Sequence, residues 1–249
     1  MYSFDSHIRY SECDANGNLS ILGLVNYLQD CSTFHSETLG IGLEHSRANH
    51  YAWLLSAWQI QIERRPRFTD PITVSTWCPA LNRTMAERNF SITAPDGTPY
   101  VKADSIWFVY DPEAQGPIRV PQSQQVYLTD DPRIDLPKTK RRIHVEGPFV
   151  EAKPVTVTEQ HLDTNFHMNN AYYIQIALDA LHQVEGIETL PHRILVQYKT
   201  MALLGDTMTP HVHHDPKDDD ARVVDLVNGS GEANAVVRFE GLAGPEADR

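Results

Sequence analysis

Cysteine is scarce in this 249-residue chain: Cys13, Cys31 and Cys78 are its three thiols, and no two of them form a C-x-x-C pair. An odd, scattered set argues against a disulfide framework and against a zinc site, and predicts reduced thiols that fill the core. No apolar run approaches the roughly 20 residues needed to cross a bilayer, so no membrane insertion is expected. Met1-Tyr2-Ser3-Phe4-Asp5 lacks the basic n-region and apolar core of a secretory signal, which makes the cytoplasm the default compartment. Positive charge is in deficit as well, with 21 Lys and Arg against 33 Asp and Glu for a net charge of −12. That balance works against nucleic acid or an anionic membrane as a partner.

What is present is the composition of a globular protein long enough for one large domain or two ordinary ones, with 41% hydrophobic and 22% charged residues. An opening strand over Ser3 to Ser11 leads into the turn Asp14-Ala15-Asn16-Gly17-Asn18. Ser20 can cap a helix whose apolar positions Ile21, Leu24, Val25, Leu28 and Cys31 recur at helical spacing, ending near Leu39 before Gly40 and Gly42. Strands are expected near Ala52 to Ile62, Ile72 to Cys78, Ala86 to Thr93 and Tyr100 to Tyr110, with a hairpin turn at Pro95-Asp96-Gly97-Thr98. A helix followed by an antiparallel meander is an α+β pattern.

From Asp111 to Pro148 the texture turns to prolines, Gln-Ser-Gln-Gln and basic residues without periodicity, which reads as a connection. Then the pattern restarts: a strand over Phe149 to Thr158, a helix over Ala171 to Val184, and strands near Arg193 to Lys199, Thr207 to His213, Arg222 to Val227 and Ala233 to Phe239. The division predicted is residues 1–110, a linker over 111–148, and residues 149–249. The halves align by eye: Cys13-Asp14-Ala15-Asn16 lies over Leu162-Asp163-Thr164-Asn165, and Gln61 through Thr69-Asp70 lies over Gln197 through Gly205-Asp206 without a gap. The imidazole breaks the match, because Asn18 stands where the second half has His167. An internal duplication implies two like domains, one keeping the chemistry and the other the shape.

The second copy of the turn carries the candidate chemistry. Asp163, Asn165 and His167 occupy alternate positions, and in an extended backbone they would point the same way, which suggests a turn or extended lead-in at the mouth of a helix. Imidazole as a side-chain type titrates near neutral pH, so His167 is the candidate general base. Asn165 offers an amide to a carbonyl oxygen or a water, and Asp163 can orient either neighbour or take part in the proton transfer itself. Asn169 and Asn170 lead into the helix, whose free N–H groups could polarise a bound carbonyl. His211-Val212-His213-His214 reads as surface histidines rather than a metal cluster, and no metal or cofactor is expected. Two basic clusters, Arg64-Arg65-Pro66-Arg67 and Lys138-Thr139-Lys140-Arg141-Arg142, read either as solvated surface or as a docking patch for an acidic partner.

Several separated motifs resemble one family. Trp53-Leu54-Leu55-Ser56-Ala57-Trp58-Gln59-Ile60-Gln61-Ile62-Glu63-Arg64, Thr69-Asp70-Pro71-Ile72-Thr73-Val74-Ser75-Thr76-Trp77, Arg88-Asn89-Phe90, Ala103-Asp104-Ser105-Ile106-Trp107 and Pro117-Ile118-Arg119-Val120-Pro121 resemble the N-terminal half of the acyl-acyl-carrier-protein thioesterases. Asp163-Thr164-Asn165-Phe166-His167-Met168-Asn169-Asn170 is similar to that family's D-x-N-x-H-x-N-N signature. The resemblance runs from about His7 to about Gly241. It implies a tandem, double hotdog fold, two long helices each wrapped by an antiparallel sheet. It also implies hydrolysis of the thioester between a fatty acyl chain and the phosphopantetheine arm of acyl carrier protein. Acyl carrier protein, being acidic, would then be the partner of Arg64, Arg65, Arg67, Lys138, Lys140, Arg141 and Arg142.

One position departs from the family. A further acidic residue is expected on the strand after the C-terminal helix, and alignment on Gly205-Asp206 places Met201 there, with Ala202 at the position of a cysteine found in plant members. A thioether cannot polarise water as a carboxylate can. Either Asp163 suffices with His167, or Gln197 contributes, or this member is slow or altered in substrate. The alternatives that stay open are a coenzyme A thioesterase and a catalytically weak acyl-binding protein. Oligomeric state is also open, a homodimer being one outcome.

Overall fold

Eighteen residues of strong helical periodicity, Ile21–Thr38, form the helix α1. Its cap is made locally, the Ser20 hydroxyl accepting the Gly23 N–H at 3.1 Å. The computed structural model describes residues 1–186 and 190–242. They fall into two compact units that meet in sequence between Thr139 and Lys140, inside the proline-rich stretch.

In the first unit, β1 (Tyr2–His7), α1, the short α2 (Leu43–Ala48), β2 (Ala52–Ile62), β3 (Pro71–Leu81), β4 (Met85–Thr93), β5 (Pro99–Asp111) and β6 (Gly116–Ile118) follow in order. The strands pair antiparallel in the spatial order β1-β3-β4-β5-β2, with β6 on the end of β5. α1 packs on β1 and β3 and buries Leu24, Val25, Leu28 and Cys31 against a core that includes Trp58, Ile60, Ile72, Phe90 and Ile92. Each fully buried Leu or Ile contributes about 1.5–3 kcal/mol, so this one helix face anchors the unit. The turn expected at Pro95-Asp96-Gly97-Thr98 is present, closed by Ala94 N–H to Thr98 O at 2.9 Å.

The stretch after β6 is not loose. From Thr129 to Thr139 it is bound across the opposite face of the sheet. Trp77 Nε1 donates to Pro132 O at 2.8 Å, Ile134 N to Asn89 Oδ1 at 2.9 Å, and Gln59 Nε2 to Pro137 O at 2.9 Å. Its centre is Asp104, only 1% exposed, whose carboxylate accepts from Asn89 Nδ2 and Thr139 Oγ1, both at 2.6 Å, and pairs with Arg133. A buried carboxylate this well satisfied fixes the path of a segment that hydrophobic patterning cannot position.

In the second unit, β7 (Phe149–Glu151), β8 (Val155–Thr156), α3 (Asn170–Glu185), β9 (Arg193–Tyr198), β10 (Thr207–Asp215), β11 (Asp218–Asn228) and β12 (Ala233–Glu240) follow in order. The order in space is β9-β12-β11-β10-β7, all antiparallel, with β8 also on β10. α3 packs on β10, β11 and β12 and ends at Gly186, whose left-handed φ of 64° closes the helix. The single strand expected over Phe149 to Thr158 is broken into β7 and β8 around Ala152-Lys153-Pro154, because Pro154 has no N–H to give a ladder. The last seven residues of the predicted 149–249 half lie outside the described residues.

Candidate active site

The candidate residues sit in a tight loop between a 3-10 turn, Glu159–His161, and α3. Leu162 and Met168 form an isolated antiparallel bridge. Inside it Asp163 N donates to His167 O at 2.8 Å and Phe166 N to Asp163 O at 3.1 Å, while the Asp163 carboxylate accepts the Asn165 N–H at 2.7 Å. Phe166 takes a left-handed φ of 62°. Of the turn and the extended lead-in expected from the alternate spacing, the structure has the turn: Asp163 is its hub, and Asn165 and His167 are presented by it. No protein group among the described residues hydrogen-bonds the Asn165 amide or the His167 ring.

The loop is held from two sides. Met168 N donates to Ala202 O at 2.9 Å and Asn169 N to His161 O at 2.8 Å. Ala202 N in turn donates to the Tyr173 hydroxyl at 2.8 Å. The Tyr198 hydroxyl donates to Asn170 O at 3.1 Å, and the two tyrosine rings meet edge to face at 5.7 Å. Burial pushes the Tyr173 phenol up to about 12 and Tyr198 well above its usual range, so both remain neutral supports. Tyr173 was legible only as a core position on the helical stripe; its second task, holding the Met201–Ala202 segment, has no local signature.

Of the three residues expected to contact substrate, Asn169 caps α3, its Oδ1 accepting Ala171 N at 2.9 Å. Tyr172 N goes to Asn169 O at 3.0 Å. These N–H groups are spent on the cap, which removes them from the polarising role expected of the helix start. Asn170 supplies the carbonyl that Tyr198 engages. Gln197 precedes Tyr198 on β9 and so faces the other side of the strand; its Oε1 accepts Ile143 N at 3.0 Å. That orientation separates Gln197 from the loop and from the part once considered for it in place of the missing acid.

The first unit contains the same loop with one bond more, Asn18 N also donating to Asp14 Oδ1 at 3.0 Å. Asp14 N donates to Asn18 O at 2.8 Å, Gly17 N to Asp14 O at 3.0 Å and Leu19 N to Pro66 O at 2.8 Å, and Asp14 Oδ1 accepts Asn16 N at 2.9 Å. Gly17, with φ 78°, stands where Phe166 does. The larger difference is Arg65, which takes the place of Met201: its Nη1 lies 2.6 Å from Asp14 Oδ2 and 3.2 Å from Leu19 O. With a side chain only 7% exposed, Arg65 is a clamp inside the unit, which corrects its expected place in a docking patch. A run of three arginines around a proline reads as surface, yet only Arg64 and Arg67 are exposed. Arg64 lies over the Tyr100 ring at 4.5 Å. Lys138, Lys140, Arg141 and Arg142 are exposed as expected, with Lys138 3.1 Å from Glu87.

The histidine run on β10 also differs from expectation. His214 is exposed, but His213 is 5% exposed with Nε2 2.8 Å from Asp225, and His211 stacks on Phe149 at 4.0 Å. Their carboxylate partners come from other strands, which sequence proximity could not reveal. Among the described residues no group of three or more His, Cys, Asp or Glu is arranged to hold a metal ion.

With this geometry in view, comparison with known proteins is specific. Residues 1–125 match the acyl-ACP thioesterase N-terminal domain and residues 149–240 match the acyl-ACP thioesterase C-terminal domain. Among curated relatives, the acyl-[acyl-carrier-protein] hydrolase FATB1 of Cuphea viscosissima is 26% identical over 195 residues, covering 73% of this chain and 46% of its own length. The oleoyl-acyl carrier protein thioesterase of Coriandrum sativum is 24% identical over 254 residues, covering 92% and 66%. The chain thus spans about half to two thirds of the length of these relatives. Among solved structures, the acyl-ACP thioesterase of Bacteroides thetaiotaomicron (TM-score 0.83, 23% identity, 96% of each chain) and the 12:0-ACP thioesterase of Umbellularia californica (TM-score 0.81, 17% identity, 96% of each chain) share the fold. No helix among the described residues is long and apolar enough to cross a membrane. Two family matches that together cover most of the sequence, on a chain whose second loop alone holds the imidazole, place this protein in the acyl-ACP thioesterase family.

Proposed function

We propose that the chain hydrolyses the thioester joining a fatty acyl group to the phosphopantetheine arm of acyl carrier protein, and that each of its two helix-and-sheet units is one hotdog half, residues 111–148 connecting them. The observation that carries this reading is the asymmetry between two closely similar loops: only the second has an imidazole, and among the described residues only the second leaves its aspartate free of a guanidinium. His167 takes a proton from water as the water oxygen bonds the acyl carbon; the C–S bond then breaks and the proton passes to the departing sulfur. The Asn165 amide donates to the carbonyl oxygen as negative charge develops on it. Asp163, which accepts the Asn165 N–H and closes the loop on His167, holds both in register. The exposed Arg64, Arg67 and Lys138 of one unit and Lys140, Arg141 and Arg142 of the other supply positive charge to an acidic carrier.

The test is fatty-acid release from a panel of acyl carrier proteins and coenzyme A thioesters by the wild type and His167→Ala. Release from the protein carriers, reduced on the order of 10²–10⁴-fold in the variant, is expected. A wild type with no release on any carrier overturns the hydrolytic reading, faster release from coenzyme A overturns the carrier, and an unaffected variant overturns the base.

A further inference from the structure

Every other shielded arginine in the described residues is matched by a carboxylate: Arg65 by Asp14, Arg133 by Glu87 and Asp104, Arg193 by Glu240, Arg222 by Glu185, Arg238 by Asp215 and Asp218. Arg88 is not. It points from β4 into the first unit, on the face shared with Ala86 and Phe90, and is 7% exposed. Its contacts are neutral: Nη1 to His35 Nδ1 at 3.3 Å and to Thr76 Oγ1 at 3.4 Å, and the guanidinium over the Tyr127 ring at 4.6 Å. Burial, together with the neighbouring Arg88 charge, pushes the His35 imidazole down to about 4, so it stays uncharged at neutral pH. A desolvated cation without an anion is disfavoured, and a fold that retains one has left a partner unsupplied.

The unengaged side of the guanidinium is defined. Both hydrogen bonds of the guanidinium come from Nη1, and among the described residues no protein group hydrogen-bonds Nε or Nη2. Nε and Nη2 are the pair that grips a carboxylate in a two-pronged fashion. Around it Ile41, Cys78, Ala86 and Tyr127 form a small apolar cluster with Leu39, Trp53, Leu81 and Trp107 half-buried against it. The roof is pre-set by the 3-10 turn Gln122–Tyr127. Trp53 Nε1 donates to Gln124 Oε1 at 2.8 Å, Gln124 Nε2 donates to the Tyr51 hydroxyl at 2.6 Å, and the Tyr127 and Ser36 hydroxyls bond at 2.7 Å. A cation at the base of an apolar, rigid surround selects an amphiphile with one negative end.

We propose that the first unit binds the carboxylate of an aliphatic acid at Arg88, with Trp53, Trp107, Leu39 and Leu81 against the adjoining carbons. This goes beyond thioester hydrolysis and stands or falls independently of it, because its readout is binding. The experiment is calorimetric titration of the full chain with decanoate and with decan-1-ol, repeated on Arg88→Met and Arg88→Lys. Wild type binds decanoate at least tenfold tighter than decanol; Arg88→Met loses that preference and Arg88→Lys keeps part of it. Methionine removes the charge while keeping an unbranched apolar stem, and thermal unfolding of each variant verifies the fold. Equal binding of decanoate and decanol by the wild type, or undiminished decanoate binding by a folded Arg88→Met, overturns the proposal. A third ligand, the monomethyl ester of decanedioic acid, separates two sources of the same chemistry. Tighter binding of the monoester assigns the site to the far end of a carboxylated acyl group, and tighter binding of decanoate assigns it to free fatty acid.

Discussion

The loop at Asp14 and the loop at Asp163 are the same piece of backbone put to two uses. Both are hubs in which one carboxylate oxygen accepts the N–H two residues on. In both, the backbone closes back on the residue that is Asn18 in one copy and His167 in the other. Where they diverge, every change points one way. The first copy has a glycine in the left-handed position and an arginine locked on the second carboxylate oxygen; the second has an exposed phenylalanine, a methionine and an imidazole. A scaffold that stabilises itself with Arg65 in one unit forgoes that contact in the other, as expected where a carboxylate has to remain available.

The largest effect should follow from erasing that difference at Met201. Met201→Arg introduces in the second unit the guanidinium that holds Asp14 in the first. Hydrolysis should fall about 100-fold or more, on the scale of losing a positioned proton-transfer group, while the unfolding midpoint stays level or rises. Steady-state kinetics beside a melting curve measures both. Undiminished turnover would show that the uncovered carboxylate is not what separates the copies.

The reverse change tests the other side. Arg65→Met leaves Asp14 facing the interior without its cation, and because that carboxylate is about a quarter exposed the cost should be about 1–3 kcal/mol, below that of a fully buried pair. Desolvation raises the Asp14 pKa, but the Arg65 hydrogen bond and the N–H groups of Asn18 and Asn16 outweigh it and hold the carboxyl below its usual value. A depressed folded pKa contributes stability above the unfolded value, about 3.9, and that contribution is lost as pH falls through the folded value. The deficit of Arg65→Met should therefore be full at pH 7 and shrink in that acid window. Urea midpoints at both ends measure it, and a deficit independent of pH would contradict the clamp.

How far this contrast could be seen in advance depended on the range of the interactions involved. Helical spacing from Ile21 to Cys31 and from Tyr173 to Leu181 is local, and α1 and α3 lie where it placed them. The duplication was legible because a turn and a Gly-Asp or Thr-Asp corner leave a gapless trace. Arg65 was misread, since nothing within three residues reveals Asp14 across 51 positions of sequence. His213 is the same kind of case, and for Asp104 and Arg88 too the strand beside them or the segment crossing them supplies, or fails to supply, a partner that no local pattern announces. Long-range polar complementarity has no periodicity, which is why packing was readable and pairing was not.

The smallest effect sits at the left-handed position itself. Gly17 and Phe166 share that backbone conformation, at φ 78° and 62°, but a phenylalanine there is strained by roughly 1–2 kcal/mol. Phe166 is 77% exposed, so packing returns little of that. Phe166→Gly should thus stabilise the chain by up to about 1 kcal/mol, the relief being partly offset by the greater freedom of glycine in the unfolded state. Gly17→Phe should cost a similar amount, since a Cβ there meets nothing within 4 Å. Equal and opposite shifts in the unfolding midpoint would establish that the two loops are energetically one device. A loss on Phe166→Gly would instead show that the phenyl ring packs in the folded chain. If the glycine variant is both more stable and less active, the strain is retained for what the second loop does, and the comparison with Gly17 shows where the fold has given up stability for it.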